Sequence, residues 1–362
     1  MSAVHVVVPD AFDDPRRPSG GNVYDRWLCE ALGHLGWSVR LHAVPGPWPD
    51  GGAGRGADAR LFLVRALAAI PDGELVVVDG LVGSGMPDVL VPESDRLRLV
   101  ALVHMPLGSA GGREIAAVRL RESAVLERCA AVVATSRWSR RWMLDHYPLR
   151  PSSVVVAEPG VDLAEPAQGT ATGGRLLCVG AVTPVKGHDV LLEALAAVRD
   201  LDWTCTCVGS TAIDAGFART VARVARLDGI DRRLRWRGPL FGADLASEYA
   251  AADLLVLPSR AETYGMVVTE ALGRGLPVIA SDVGGVSEAL TGRVAGEPGV
   301  LVTPDDPAAL AGALRHWLTD LGWRAELRRR ALVRRGGLVP WSATAGRVSQ
   351  VLAALTAVPA RR

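Results

Sequence analysis

The feature that most constrains this chain is an alternation that runs from one end to the other. Short apolar runs take turns with amphipathic stretches of helical spacing, the signature of a parallel sheet wrapped by helices. The first half predicts strands at Val4–Pro9, Ser38–Val44, Leu75–Val78, Leu99–Val103, Ala131–Ala134 and Val154–Ala157. After the first strand comes a loop with Pro15, Pro18, Gly20 and Gly21, then a helix from about Tyr24 to Leu35 that Gly36 stops. The small-residue run Gly169-Thr-Ala-Thr-Gly-Gly174 reads as a linker. The alternation then restarts with a strand at Arg175–Val182, a loop at Thr183–Gly187 and a helix at Asp189–Val198. Strands at Trp203–Val208, Leu234–Trp236, Leu254–Leu257 and Val278–Ser281 follow. At 362 residues the chain is too long for one ordinary domain. The expectation is α/β: two Rossmann-like, doubly wound domains facing each other across a cleft, with ligands at the carboxyl ends of the strands.

Composition narrows the function classes. Hydrophobic residues are 49% of the chain and charged residues 22%, enough for large cores and far from disorder. A net charge of +1 argues against a nucleic-acid binder that works by bulk positive charge. The start, Met1 to Pro9, has no basic leader region or cleavage site and reads as a strand rather than a signal peptide. No run of 18 apolar residues is free of charge, Gly and Pro, so no transmembrane segment is expected, while peripheral membrane contact stays open. The five cysteines (Cys29, Cys129, Cys178, Cys205, Cys207) lie in apolar segments without a Cys-x-x-Cys pair, which reads as buried thiols in a reducing cytoplasm. The ten tryptophans are scattered and read as packing. The long loop Pro45–Asp58, rich in Pro and Gly, is either a surface excursion or a substrate-facing segment.

Of the 40 basic residues only Lys186 is a lysine; the other 39 are arginines. Abundant Ala, Gly, Val and Arg suggest a coding bias under which Arg serves wherever a generic cation will do. A surviving lysine is then either chance or a position that needs a compact ammonium on a flexible stem. Lys186 sits in a strand-to-helix loop, where a diphosphate would meet both the ammonium and a helix N-terminus. The loop is not a Walker A motif, because the lysine precedes Gly187 and no Ser or Thr follows.

The densest motif spans residues 252–285: a buried strand to Pro258, a polar loop, and a helix from about Tyr264. Glu262 falls at the strand's carboxyl end and Glu270 in the helix. Eight residues of helix separate backbones by roughly 12 Å. Glycosidase carboxyls stand about 5–5.5 or 6.5–9.5 Å apart, so this spacing better suits two contacts on one elongated ligand. Spacing alone equally allows a helix-start carboxylate plus a surface Glu. The amides of Thr263, Tyr264, Gly265 and Met266 would suit a phosphate.

The arrangement Glu262…Glu270, inside Ser259-Arg-Ala-Glu-Thr-Tyr-Gly265 and followed by Gly275-Leu-Pro-Val-Ile-Ala-Ser281, resembles glycosyltransferase family 4. Gly180-Ala-Val-Thr-Pro-Val-Lys-Gly187, Arg235-Trp-Arg-Gly238, Ala130-Ala-Val-Val-Ala-Thr-Ser-Arg-Trp138, Glu158-Pro-Gly-Val-Asp162 and Pro340-Trp-Ser-Ala-Thr-Ala-Gly-Arg-Val348 extend the likeness over nearly the whole chain. The resemblance implies a retaining transferase of the GT-B fold. Its first domain would be residues 1–165 with a crossover helix at 340–362, on the acceptor side; its donor domain would be 170–339. It implies donor-sugar hydroxyls at Glu262, ribose at Glu270, diphosphate at Lys186, and a backbone approach to the base near Gly209 and Gly238. His104, after a first-domain strand, would meet the donor sugar near the reacting carbon. Gly20 and Gly21 match the first-domain glycine loop, and Arg137 is a weaker candidate. Lys186, Glu262 and His104 are therefore the expected catalytic residues. Ala181 departs from the family, which often has Arg after the strand glycine.

The expected partner is a UDP-, GDP- or ADP-sugar co-substrate and an unidentified acceptor, which could be a lipid headgroup, a polysaccharide end or a small metabolite, with a soluble acceptor slightly favoured. No cofactor and no metal are expected: Asp200-Leu-Asp202 lacks a partner cluster, and no Gly-x-Gly-x-x-Gly follows either opening strand. Two rivals share the fold, a sugar-nucleotide epimerase and a non-catalytic nucleotide-sugar binder.

Overall fold

The computed structural model describes residues 2–14, 19–48, 57–112, 114–292 and 297–357. The described residues divide into two compact units: one holds those of 2–14, 19–160 and 339–357, the other those of Val161–Leu338. Each is a six-stranded parallel sheet with helices, the α/β class expected.

In the first unit, strands β1 (Ala3–Pro9), β2 (Ser38–Val44), β3 (Leu75–Asp79), β4 (Arg98–Val103), β5 (Ala131–Ala134) and β6 (Val154–Val156) lie in the order β2-β1-β3-β4-β5-β6. The central runs Leu75–Asp79 and Leu99–Val103 are buried throughout, because helices cover both sheet faces. Helix Gly20–His34 packs against helix Trp341–Thr356, where Trp341 stacks on Trp27 and meets Tyr24 edge-on. Residues 358–362 of the crossover segment lie outside the described residues, as do Pro15, Pro18 and 49–56 of the loop expected at Pro45–Asp58.

The second unit holds β7 (Arg175–Val179), β8 (Thr204–Val208), β9 (Leu234–Gly238), β10 (Leu254–Leu257), β11 (Val278–Ser281) and β12 (Gly299–Val302), in the order β12-β11-β10-β7-β8-β9. Its core includes the fully buried Trp203 and Trp317, whose indole nitrogens donate to the carbonyls of Val198 (3.0 Å) and Gly173 (2.8 Å). Strand order reverses between β1 and β3 in one sheet and between β7 and β10 in the other. At such a switch point the loops leave in opposite directions and open a crevice at the strands' carboxyl ends.

Two local expectations change. The first helix starts at Gly20, not Tyr24, so Gly20 and Gly21 form its first turn rather than a loop. Glycine is a poor helix former, but Ser19 accepts the Asn22 amide at 3.1 Å and caps the end. The segment 169–174 is no loose linker either. Thr170 donates its hydroxyl to Asp253 (2.6 Å), Arg328 donates to the Gln168 carbonyl (2.7 Å), and Arg324 donates to the Thr172 carbonyl. Small residues are needed there because the arginines fill the space: a Cβ on Gly173 would lie 2.1 Å from Arg324.

Candidate functional site

In the second unit, the loops after β7 and β10 meet at the switch point. A short 3-10 turn, Pro184–Lys186, follows β7, and Gly187 (φ 67°) begins the next helix, His188–Ala197. Gly187 lies so close to the end of β10 that a Cβ there would be 2.0 Å from the Pro258 carbonyl. This contact sets Lys186 beside Glu262: Nζ lies 2.5 Å from Oε1, with the side chains 28% and 11% exposed. Ser259 donates to the same carboxylate oxygen at 2.8 Å. From behind, Gly284 (φ 56°) fixes the Glu262 backbone, because any side chain there would strike the Glu262 carbonyl.

Arg260 braces this loop. Its guanidinium donates to both Asp189 oxygens (2.9 and 2.8 Å), to Asp305 (2.6 Å) and to the Pro184 carbonyl, while its amide donates to the Val185 carbonyl (2.8 Å). Burial raises the Asp189 pKa, but hydrogen bonding and charge from Arg260 outweigh it and hold the carboxyl below its usual range. Arg260 is committed to carboxylates, so it does not replace the cation that Ala181 lacks.

Glu270 lies in helix Met266–Leu272, which starts at Met266, with Gly265 (φ 87°) before it, rather than at Tyr264. The Tyr249 hydroxyl donates to Glu270 Oε2 at 2.7 Å, and Arg274 lies over the Tyr249 ring. Burial pushes the Glu270 carboxyl up, against the opposing pull of Tyr249 and Arg274. Gly209, after β8, donates its amide to the Gly238 carbonyl (2.8 Å), and Gly180 donates to Val208 (2.8 Å), so the ends of β7, β8 and β9 are tied in a row. Thr263, Tyr264, Gly265 and Met266 thus join Lys186, Glu262 and Glu270 in one unit. Asp200 and Arg315 form an exposed ion pair at 2.7 Å, and Asp200 stands in no metal-like grouping among the described residues.

In the first unit the switch point carries a different chemistry. His104, just beyond β4, puts Nε2 2.8 Å from Oδ1 of Asp25, a fully buried residue of helix Gly20–His34. Gly21 gives the ring room, since its Cβ would lie only 3.1 Å from His104 Cδ2. Asp79, the last residue of β3, accepts the Leu81 amide at Oδ1 (2.7 Å). Asp25, Asp79 and His104 each offer an atom within 4.8 Å of the others. Burial alone would lower the His104 pKa, yet the charge and hydrogen bond of Asp25, with Asp79 behind, push it up to about 9. Burial and the neighbouring Asp25 push Asp79 up to about 7. Glu122 holds the loop after His104 by accepting the amides of Leu107 (2.9 Å) and Gly108 (2.8 Å). Arg137 begins helix Arg137–His146 and pairs with Glu158 at 3.4 Å.

Sequence reasoning missed Asp25, Asp79, Ser259, Arg260, Tyr249 and Gly284. Ser259, Arg260 and Gly284 lie inside the densest motif, which was the usable signal for them.

Residues 3–165 match the family model described as Glycosyltransferase Family 4, and residues 173–320 match that of Glycosyl transferases group 1. The chain belongs to glycosyltransferase family 4. D-inositol 3-phosphate glycosyltransferase of Salinispora tropica is 35% identical over 234 residues, which are 58% of this chain and 48% of that protein. The enzyme of that name from Thermomonospora curvata is 32% identical over 287 residues, 72% of this chain and 65% of that one. The chain thus spans about half the length of the first curated relatives it matches. Sucrose-phosphate synthase from Thermosynechococcus elongatus has a similar structure (TM-score 0.81, 22% identity, 99% of this chain and 100% of that one). So does Anabaena HepE in complex with UDP-glucose (TM-score 0.75, 18% identity, 99% and 100%). This family 4 member has the GT-B fold of those structures. No helix among its described residues is long and apolar enough to cross a membrane.

Proposed function

We propose that this chain is a retaining glycosyltransferase that moves a sugar from a nucleotide-diphosphate sugar to a small polar acceptor. The observation that carries this reading is the Lys186–Glu262 pair, 2.5 Å apart at the switch point of the second sheet. With no donor bound, each neutralises the other. A diphosphate would draw the ammonium away and leave the Glu262 carboxylate to accept hydroxyls of the sugar. Glu270, aimed by Tyr249, would accept the ribose hydroxyls, and the strand ends near Gly209 and Gly238 would face the base. Backbone amides from Thr263 to Met266 would supplement the single lysine at the phosphates. His104, with Gly20 and Gly21, is the first unit's contribution.

In the reaction, the bond from the anomeric carbon to the donor phosphate oxygen breaks as the acceptor oxygen bonds to that carbon on the same face. The acceptor proton passes to the departing phosphate oxygen, so no protein base is required. Negative charge grows on the diphosphate as it leaves, and a fixed ammonium at Lys186 stabilises that charge most in the transition state. No metal is needed for this scheme, in which Lys186 supplies the countercharge.

HepE is described with UDP-glucose and the curated relatives act by name on D-inositol 3-phosphate, so a UDP-sugar and a phosphorylated polyol are the first pair to try. The epimerase and non-catalytic alternatives draw no support from relatives that are named glycosyltransferases. A thermal-shift panel of UDP-, GDP- and ADP-sugars should raise the melting temperature for one base class. Nucleotide release should then depend on added acceptor. A flat panel, or conversion of the donor without acceptor, would overturn the reading.

A further inference from the structure

The first unit's switch point holds an unusual burial of charge. Asp25 and Asp79 are 0% and 1% exposed, and each has one carboxyl oxygen, Oδ2, with no hydrogen-bond donor. Two bare carboxylates at this distance would repel in a medium that screens poorly. Their remaining oxygens are spent: Asp25 Oδ1 on His104 Nε2 and Asp79 Oδ1 on the Leu81 amide. Asp25, Asp79 and His104 offer atoms within 4.8 Å of one another, so a single proton held by the two orphaned oxygens would remove the repulsion. A metal ion that used His104 Nε2 as a ligand would have to break its contact with Asp25, whereas a proton needs no such rearrangement.

We propose that Asp25 and Asp79 are positioning residues that share one proton between their Oδ2 oxygens, and that the single negative charge left over keeps His104 an imidazolium. Both ring nitrogens then donate: Nε2 to Asp25, and Nδ1 outward to an oxygen of a ligand. Neutral His104 with Nε2 bound to Asp25 would offer Nδ1 as an acceptor instead. The pair therefore decides whether this histidine recognises a hydroxyl or phosphate oxygen as a donor or as an acceptor. This extends the reading of His104 as a reaction residue and rests on it only for the ligand.

The groups facing the triad are few. Tyr24, edge-on to the His104 ring at 5.1 Å, is held neutral by burial and donates to the Ala157 carbonyl (3.0 Å). Cys29, on the same helix as Asp25, is pushed up to about 12 by burial. Thr135 donates to the His104 carbonyl from the loop after β5. Arg347, on helix Trp341–Thr356, brings a positive charge to bear on Tyr24, while the charges that act on His104 itself are those of Asp25 and Asp79.

The test is NMR of the full chain with 15N-labelled histidine, the His104 signals assigned by their loss in His104→Gln. At pH 7.5 His104 should show both nitrogens protonated. Asp79→Asn, whose amide donates as the protonated carboxyl does, should leave the His104 titration within about one pH unit of wild type. Asp25→Asn should lower it by about two units or more. Neutral His104 in the wild type at pH 7.5 would overturn the proposal even if Asp25→Asn fails to fold. So would an Asp79→Asn shift as large as that of Asp25→Asn. One equivalent of Mn2+ or Zn2+ retained by the wild type through gel filtration and lost from Asp79→Asn would do the same. Unchanged nucleotide release by folded His104→Gln, with the NMR result intact, would remove His104 from the reaction and leave the proton arrangement standing.

Discussion

The two units share a parallel six-stranded sheet and a reversal of strand order, yet they furnish that reversal oppositely. The second unit sets a cation against a carboxylate, Lys186 on Glu262. The first sets two carboxyls against a histidine. Their histidines diverge accordingly. His104 is pushed up to about 9 because Asp25 and Asp79 overcome its burial. His188, which opens the helix after the Lys186 turn, is pushed down to about 4 by burial, with Lys186 adding to the effect against Asp189. Its ring packs near Cys178 and Trp236. The fold supplies the crevice, and the charges placed beside it decide what each crevice can hold.

The contrast breaks most sharply at Lys186. If the second unit's cation stabilises a leaving diphosphate, Lys186→Ala should lower turnover about 100-fold or more while the protein stays folded. Nucleotide release at saturating donor measures this, and unchanged kinetics would end the assignment. Next comes the contact that brings the pair together. Gly187→Ala meets both a left-handed backbone and the Pro258 carbonyl, and should cost about 1–3 kcal/mol, read as a drop of several degrees in Tm.

The histidines give the comparison opposite pH limbs. Folded His104 keeps a proton that the unfolded chain releases near pH 6.5, so the first unit should lose stability as pH rises from about 6.5 to 9. Folded His188 refuses a proton that the unfolded chain takes, so the second unit should lose stability as pH falls from about 6.5 to 4. Each limb is on the order of 3 kcal/mol. Hydrogen exchange of peptides from β4 and from β7 should show the two trends separately. Asp25→Asn should flatten the first and His188→Gln the second; parallel trends would erase the distinction. Smallest is the brace. Arg260→Lys cannot grip both Asp189 oxygens, and should lower turnover about 3- to 10-fold by loosening the Lys186 turn. A change confined to thermal stability would assign Arg260 to structure alone.

Much of the fold was legible because parallel strands buried on both faces read as uninterrupted apolar runs. Ala131–Ala134, Leu254–Leu257 and Val278–Ser281 fall where that pattern predicts. Lys186 and Glu262 stood out through rarity and a dense motif. Asp25 did not, because one acid among the polar residues of an amphipathic helix looks solvated; only a partner 79 residues away shows otherwise. Asp79 was likewise indistinguishable from a residue that merely caps a turn. The segment 169–174 misled for a related reason. Glycine and alanine signal looseness locally, but Arg324 and Arg328, some 150 residues later, occupy the room those small residues leave.

The first unit is built from pieces at both ends of the described chain. Gly160 abuts the backbone of Trp341, Thr344 donates to the Glu158 carbonyl (2.7 Å), and Trp37 donates to Ser349 (2.8 Å). During synthesis on the ribosome, the second unit is therefore complete before the first can close. The early strands must wait, with the apolar face of helix Gly20–His34 uncovered, until Trp341 emerges some 180 residues after Gly160. Nascent chains arrested before that point should expose Tyr24 and Trp27 to chaperones, and the last helix acts as the latch that ends this exposure.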